Sequence, residues 1–176
     1  MCLLVSVNAK AGVNEITVAQ KGDFNLGIGI GIPYVKDWNA LAPTVSADMS
    51  WVLTSGFINT KAFGKNGGVD LGVYYGFSAY RQDLATSAAA SHKLFQHSAL
   101  VRAAFHFQFV EKLDAYAGIM CGTNIRAYSD NTKTDANFAY HLYSGAKYYF
   151  LPNFAVKLEF IEDFSPWGMV GIQLKF

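Results

Sequence analysis

Large apolar residues alternate with small or polar ones along most of this chain, and turn-forming residues interrupt the alternation at intervals, which predicts β-strands throughout. The first strand is the cleanest. From Phe24 to Tyr34 every even position is large and apolar, and the odd positions are Asn, Gly or Pro. A second strand sets Val45, Ala47, Met49, Trp51 and Leu53 against Ser46, Asp48, Ser50 and Thr54. A third sets Val69, Leu71, Val73, Tyr75 and Phe77 against Asp70, Gly72, Tyr74, Gly76 and Ser78. A fourth sets Val101, Ala103, Phe105, Phe107 and Phe109 against Arg102, Ala104, His106 and Gln108.

The second half repeats the scheme. Strand five carries Ala115, Ala117, Ile119, Cys121 and Ile125 opposite Tyr116, Gly118, Met120, Gly122, Asn124 and Arg126. Strand six carries Tyr140, Leu142, Ala146, Tyr148 and Phe150 opposite His141, Tyr143, Gly145, Lys147 and Tyr149. Val156, Leu158 and Phe160 face away from Lys157 and Glu159 in strand seven, and Val170, Ile172, Leu174 and Phe176 from Gly171, Gln173 and Lys175 in strand eight. Between them, Glu111-Lys112-Leu113-Asp114 and Leu151-Pro152-Asn153 read as tight turns, and residues 81–97 and 127–138 as longer polar loops. Short turns at one rim and longer loops at the other is the outer-membrane arrangement. Residues 58–68 are long for a short-rim turn, and Asp163 to Trp167 is short for a loop.

The same alternation would suit a soluble barrel turned inside out, so volume has to decide which face is exterior. Eight strands enclose an interior just wide enough for side chains to fill. Bulky residues such as Trp51, Phe105 and Phe107 crowd one face, and Gly27, Gly29, Gly31, Gly72, Gly118, Gly145 and Gly171 the other. Small residues fit the concave side, so the glycine face is predicted to point inward and the bulky face toward lipid. The predicted lumen then holds Asp48, Asp70, Arg102, His106, Arg126, Lys147, Lys157 and Glu159, with both signs present for pairing. A constricted ion path and a plug of interior salt bridges both fit that set, and the narrow lumen favours the plug. Tyr34, Trp38, Trp51, Phe109, Tyr148, Phe150, Trp167 and Phe176 lie near strand ends, as interfacial aromatic girdles do.

Composition fits a membrane face. Charged residues make up only 15% of the 176 residues while hydrophobic ones reach 52%, against about 25% charge in a usual soluble domain. A net charge of +1 provides no field for nucleic acid. No run approaches the ~20 apolar residues of a spanning helix, so a membrane protein of this sequence has to be a closed sheet. At the start, Leu3 to Val7 and the small-x-small Ala9-Lys10-Ala11 read as the remnant (1–11) of a secretory signal peptide whose true start lies upstream, with Gly12 the first mature residue. The competing reading is an ordinary buried strand. Cys2 has no lipobox before it, and Cys121 alone makes no internal disulfide.

Catalytic and metal patterns are sparse. His92 and His97 fall in or near a loop without a carboxylate or cysteine set around them, so neither metal nor cofactor is expected. His141 and Ser144 come nearest to a hydrolase pair, but odd spacing puts them on opposite faces of one strand. The Gly-x-Gly run of strand one alternates within a strand and opens no phosphate-binding helix.

The C-terminal Gly171-Ile172-Gln173-Leu174-Lys175-Phe176 resembles the assembly signal of bacterial outer-membrane proteins, with Gly171, Leu174 and Phe176 as its key positions. Segments Arg102–Phe107, Asp114–Gly118, Gly145–Asn153 and Leu158-Glu159 resemble small outer-membrane barrels, especially of Bacteroidetes-type bacteria, in the general OmpA/OmpX-like architecture. The resemblance implies insertion by the outer-membrane assembly machinery and no single activity.

The expectation is therefore an all-β, closed, antiparallel up-and-down transmembrane β-barrel of about eight strands over residues 23–176, preceded by a periplasmic segment at 12–22. It would contact outer-membrane lipids and serve as a non-enzymatic anchor or surface-interaction protein, its loops open to an extracellular ligand. A narrow channel, a membrane-embedded lipid hydrolase and a soluble ligand-binding barrel are the alternatives.

Overall fold

A computed structural model describes residues 19–61, 64–83, 91–129, 134–162 and 166–176. Nine strands follow one another in it. They are β1 (Phe24–Ile32), β2 (Asn39–Ala40), β3 (Thr44–Thr60), β4 (Gly64–Asp83), β5 (Ser91–Val110), β6 (Leu113–Tyr128), β7 (Thr134–Leu151), β8 (Phe154–Ile161) and β9 (Gly168–Lys175). Eight of them close a ring, in the order β1-β3-β4-β5-β6-β7-β8-β9, with β9 returning to β1 and every pairing antiparallel. The two-residue β2 stands outside the ring against β4. Closure leaves no unpaired sheet edge in the ring, which lets a sheet satisfy its backbone in lipid.

The two ends of the ring, Phe24 and Phe176, meet at one rim, the chain-end rim. Phe24 N–H donates to the Phe176 carbonyl at 3.0 Å and Phe176 N–H to that of Phe24 at 2.8 Å, so the terminal aromatic residue completes the last pairing of the ring. Just before β1, Gly22 N–H donates to the Val52 carbonyl and Val52 N–H to that of Asp23, both at 2.9 Å. This turns the chain inward, and Ala19 is buried against Val52. Residues 1–18 lie outside the described residues, and with them the predicted signal remnant and most of the 12–22 segment.

Alternation sets the faces as the volume argument requires. In β1, Phe24, Leu26, Ile28, Ile30 and Ile32 are exposed while Asn25, Gly27 and Gly31 are buried. Outward large residues are widely exposed, among them Ile119, Leu142, Phe150 and Trp51. From Phe95 to Phe109 on β5 and from Leu113 to Ala127 on β6, no outward position carries Asp, Glu, Lys or Arg. The first outward charges on β4 and β5 are Arg81 and Lys93, directly opposite each other, where the strands leave the apolar band.

Several boundaries need correction. The 81–97 loop shrinks, because β4 continues to Asp83 and β5 begins at Ser91; the 127–138 loop shrinks likewise between Tyr128 and Thr134. His92 and His97 accordingly sit on β5 rather than in a loop. The strands keep pairing above the apolar band, where a polar ribbon has no apolar alternation to announce it. Residues 58–68 are mostly strand too. There the period is broken by register shifts between Val52 and Thr54 and between Ser55 and Ile58, with Gly56 and Gly67 at φ of 73° and 83°, the bulge geometry glycine permits. Asp114, assigned to a turn, is the second residue of β6 and points inward.

Candidate functional site

The only concentration of chemistry among the described residues is the barrel interior. Asp48, Asp70, Arg102, His106, Lys147, Lys157 and Glu159 are all buried there, at 0–6% exposure, and Arg126 is half-buried further along β6. They come from inward positions of six strands, β3 to β8, so the ring brings them together.

Two ion pairs occupy the middle. Arg102 on β5 grips Glu159 on β8 with both terminal nitrogens, Nη2 to Oε2 at 2.8 Å and Nη1 to Oε1 at 3.4 Å. Tyr116 donates its hydroxyl to the same Oε2 at 2.9 Å, and Arg102 Nε donates to the Tyr143 hydroxyl at 3.1 Å. The guanidinium lies 4.2 Å from the Tyr143 ring centre, so an aromatic face covers it. The second pair joins Lys157 on β8 to Asp48 on β3.

Toward the chain-end rim, His106 stands between two carboxylates. Its Nδ1 is 2.9 Å from Asp114 Oδ2 and its Nε2 is 3.2 Å from Asp70 Oδ2. Asp70 also accepts from Ala104 N–H at 3.1 Å. Lys147 lies with its ammonium 4.9 Å from the Tyr116 ring centre. Between and above these charges pack Tyr74, Leu100, Met120, Tyr143, Ile161 and Met169, all buried. Asn66 closes the register at this end, donating to the Gln108 carbonyl at 2.8 Å and accepting from Gln108 N–H at 3.0 Å. Arg102 with Glu159, and Lys157 with Asp48, thus have partners of opposite sign, as interior charges require.

Asp114, Tyr116 and Tyr143 belong to this network although the charge pattern alone does not single them out. Asp114 shares the inward parity of Tyr116, Gly118 and Met120, and extending that parity two residues would have found it. The girdle positions separate onto the two rims. Trp51, Phe109, Tyr148, Phe150 and Phe176 are exposed near the chain-end rim, with Phe24 and Phe176 rings 6.4 Å apart; Tyr34 and Trp167 are exposed at the other. Gly171 and Leu174 lie on β9, Leu174 outward and Gly171 inward, leading to the terminal Phe176.

The hydrolase and metal patterns do not assemble. His141 is buried inside with Nδ1 3.2 Å from the Glu162 carbonyl oxygen, while Ser144 is exposed on the outer face. Among the described residues no group of three His, Cys, Asp or Glu could hold a metal ion. His97 faces outward, its Nδ1 2.8 Å from the Tyr75 hydroxyl.

No protein-family model and no curated protein matches the sequence. Solved structures match in shape. Neisserial surface protein A aligns with a TM-score of 0.50 at 14% identity, covering 89% of this chain and 98% of its own. OprG of Pseudomonas aeruginosa aligns at 0.49 with 14% identity, over 92% and 99% of the two chains. Ail of Yersinia pestis aligns at 0.44 with 16% identity, over 89% and 96%. At such identity the likeness to Neisserial surface protein A, together with the closed ring of eight strands, establishes the fold alone, a transmembrane β-barrel. It lends no support to a Bacteroidetes origin.

Proposed function

We propose that this chain is a bacterial outer-membrane protein whose barrel is a sealed, non-enzymatic anchor, and whose rim opposite the chain ends makes contacts outside the cell. The observation that carries this reading is the burial of the central charges. Lys157 is 1% exposed and Glu159 not at all, although both sit midway along the barrel. A conducting lumen would leave such charges in contact with water. Here Tyr116, Tyr143, Tyr74 and Met169 fill the space around them.

The connections support an orientation for the barrel. In outer-membrane barrels short turns face the periplasm. The described turns at the chain-end rim are short, β5 to β6 by Glu111-Lys112 and β7 to β8 by Pro152-Asn153. In this reading residues 12–22 are a periplasmic segment following a signal remnant at 1–11. The outer-membrane assembly machinery inserts the barrel by its C-terminal strand, outer-membrane lipids surround it, and the opposite rim is free to meet an extracellular ligand.

Planar bilayers test the seal. Protein purified in detergent, and shown to be folded by heat-modifiable migration, is expected to add no stepwise conductance. Reproducible steps of constant amplitude would overturn the sealed reading in favour of a narrow channel.

A further inference from the structure

The barrel wall is uneven in height. β8 and β9 have eight residues each and β1 nine, against twenty each for β4 and β5. Where the wall is low, at the rim away from the chain ends, the segment Ala40-Leu41-Ala42-Pro43 leans over it. Backbone bonds hold that segment in place: β2 pairs Asn39 with Arg81 and Ala40 with Tyr80, and Leu41 N–H donates to the Ala79 carbonyl at 2.9 Å. An apolar run fixed above the strand ends is unusual for a rim loop, and Leu41 is left 45% exposed.

Between this run and the outer faces of β1, β8 and β9 lies a hollow of about 600 Å³. Ile30, Ile32, Leu41, Phe160, Trp167 and Val170 form its walls, and among the described residues no charged one lines it. Trp167 stacks on Phe160 with ring centres 6.1 Å apart and closes one edge.

We propose that the hollow holds one acyl chain of a lipid from the surrounding leaflet. Three observations point to that occupant. The hollow opens sideways, continuous with the outward Ile28, Ile30 and Val170 that face hydrocarbon, and not into the sealed interior. Its size falls in the range of small-molecule pockets, about 300–1,000 Å³, enough for a single chain. The overhanging Leu41 and Pro43 lower their free energy only if hydrocarbon reaches above the ends of β8 and β9 to cover them. The inference extends the anchor reading and is independent of whether the lumen conducts.

Tryptophan quenching tests it. Three tryptophans occur, Trp38, Trp51 and Trp167, so one variant (Trp38→Phe, Trp51→Phe) reports only on the hollow. Another (Trp38→Phe, Trp167→Phe) reports on ordinary lipid contact at the opposite rim. Both are placed in bilayers with a rising mole fraction of phospholipid brominated on its acyl chain. Quenching of Trp167 is expected to be several-fold stronger than that of Trp51 at equal mole fraction. Adding Gly168→Leu should bring the quenching of Trp167 down to the level of Trp51. A Cβ at that position meets nothing nearer than the Phe160 ring at 3.7 Å, so the new side chain enters the hollow without a clash. Ala42→Phe fills it from the loop side and decides the matter where Gly168→Leu fails to insert. The proposal is overturned if Trp167 is quenched no more than Trp51 at equal mole fraction, if filling the hollow leaves the excess quenching intact, or if only a brominated free fatty acid produces it.

Discussion

Lys157 on β8 reaches Asp48 on β3 across the two strands that separate them, and it crosses where neither strand has a side chain in the way. A Cβ on Gly27 of β1 would stand 2.7 Å from both the Asp48 carboxylate and the Lys157 ammonium, and one on Gly171 of β9 would stand 3.0 Å from Lys157 Cε. Gly27 therefore leaves the lysine its path, and Gly171, where an added Cβ would first meet the Ile28 carbonyl oxygen, also lets β9 and β1 lie close. A glycine-rich strand face, costly in backbone entropy, is retained because the ion pair needs the room.

Gly27→Ala is accordingly expected to destabilise the barrel by about 1–3 kcal/mol, the cost of overpacking a filled interior. Gly22→Ala makes a poor control because its φ of 95° strains any side chain. Gly29→Ala, whose nearest contact is Ser46 Oγ at 3.1 Å, should cost less than Gly27→Ala. Denaturant titration of the folded protein in bilayers, followed by tryptophan fluorescence, gives the order. Equal effects at Gly27 and Gly29 would show that the Lys157 path is not what fixes Gly27.

The Arg102–Glu159 pair should behave as a unit. Removing either partner leaves a buried charge uncompensated, which costs about 3–5 kcal/mol. Arg102→Met and Glu159→Gln are each expected in that range, and the double variant should be less damaging than their sum by about 0.5–3 kcal/mol of coupling. A double-mutant cycle in the same unfolding assay measures it. Strict additivity would mean that the two side chains do not depend on each other.

These two networks mark how far the sequence is legible. Parity alone assigned Asp48, Arg102, Lys157 and Glu159 to one face, because a strand's side-chain period of two leaves no other choice once the bulky face is outside. Which charge meets which was not legible. Asp48 and Lys157 are 109 residues apart and adjoin only when β9 closes on β1, so ring order and stagger decide the partner. Asp114 escaped for a local reason. It ends the polar run Glu111-Lys112-Leu113-Asp114, which has the composition of a turn, while the turn itself uses only Glu111 and Lys112, the latter at φ 63°. The extended ribbons of β4–β5 and β6–β7 lack apolar alternation, and so their strands appeared shorter than they are.

Cys121 provides a chemical test of the outer face. It is exposed on β6 beside Val101 and Tyr140, yet the solvent there is lipid in this fold. In a Cys2→Ser background, a charged maleimide added to bilayer-embedded protein should fail to label it. An apolar maleimide should react, and the charged reagent should react fully after unfolding. Rapid labelling of the folded protein by the charged reagent would place this face in water.

Depth along β6 gives the sharpest test of the membrane assignment. Ile119 is 59% exposed and sits midway between Leu113, where β6 begins at the chain-end rim, and Ile125 near the other. A cation there has to be drawn into hydrocarbon, at a cost of about 2–4 kcal/mol for Arg at the midplane, falling to about 0–1 kcal/mol near an interface. Ile119→Arg should therefore reduce stability strongly, and Ala127→Arg, on the same face one pleat repeat beyond Ile125, hardly at all. A soluble barrel would tolerate both, since exposed positions there meet water. Unfolding free energies in bilayers decide between these outcomes, and a flat profile from Ile119 to Ala127 would remove the lipid from around this wall.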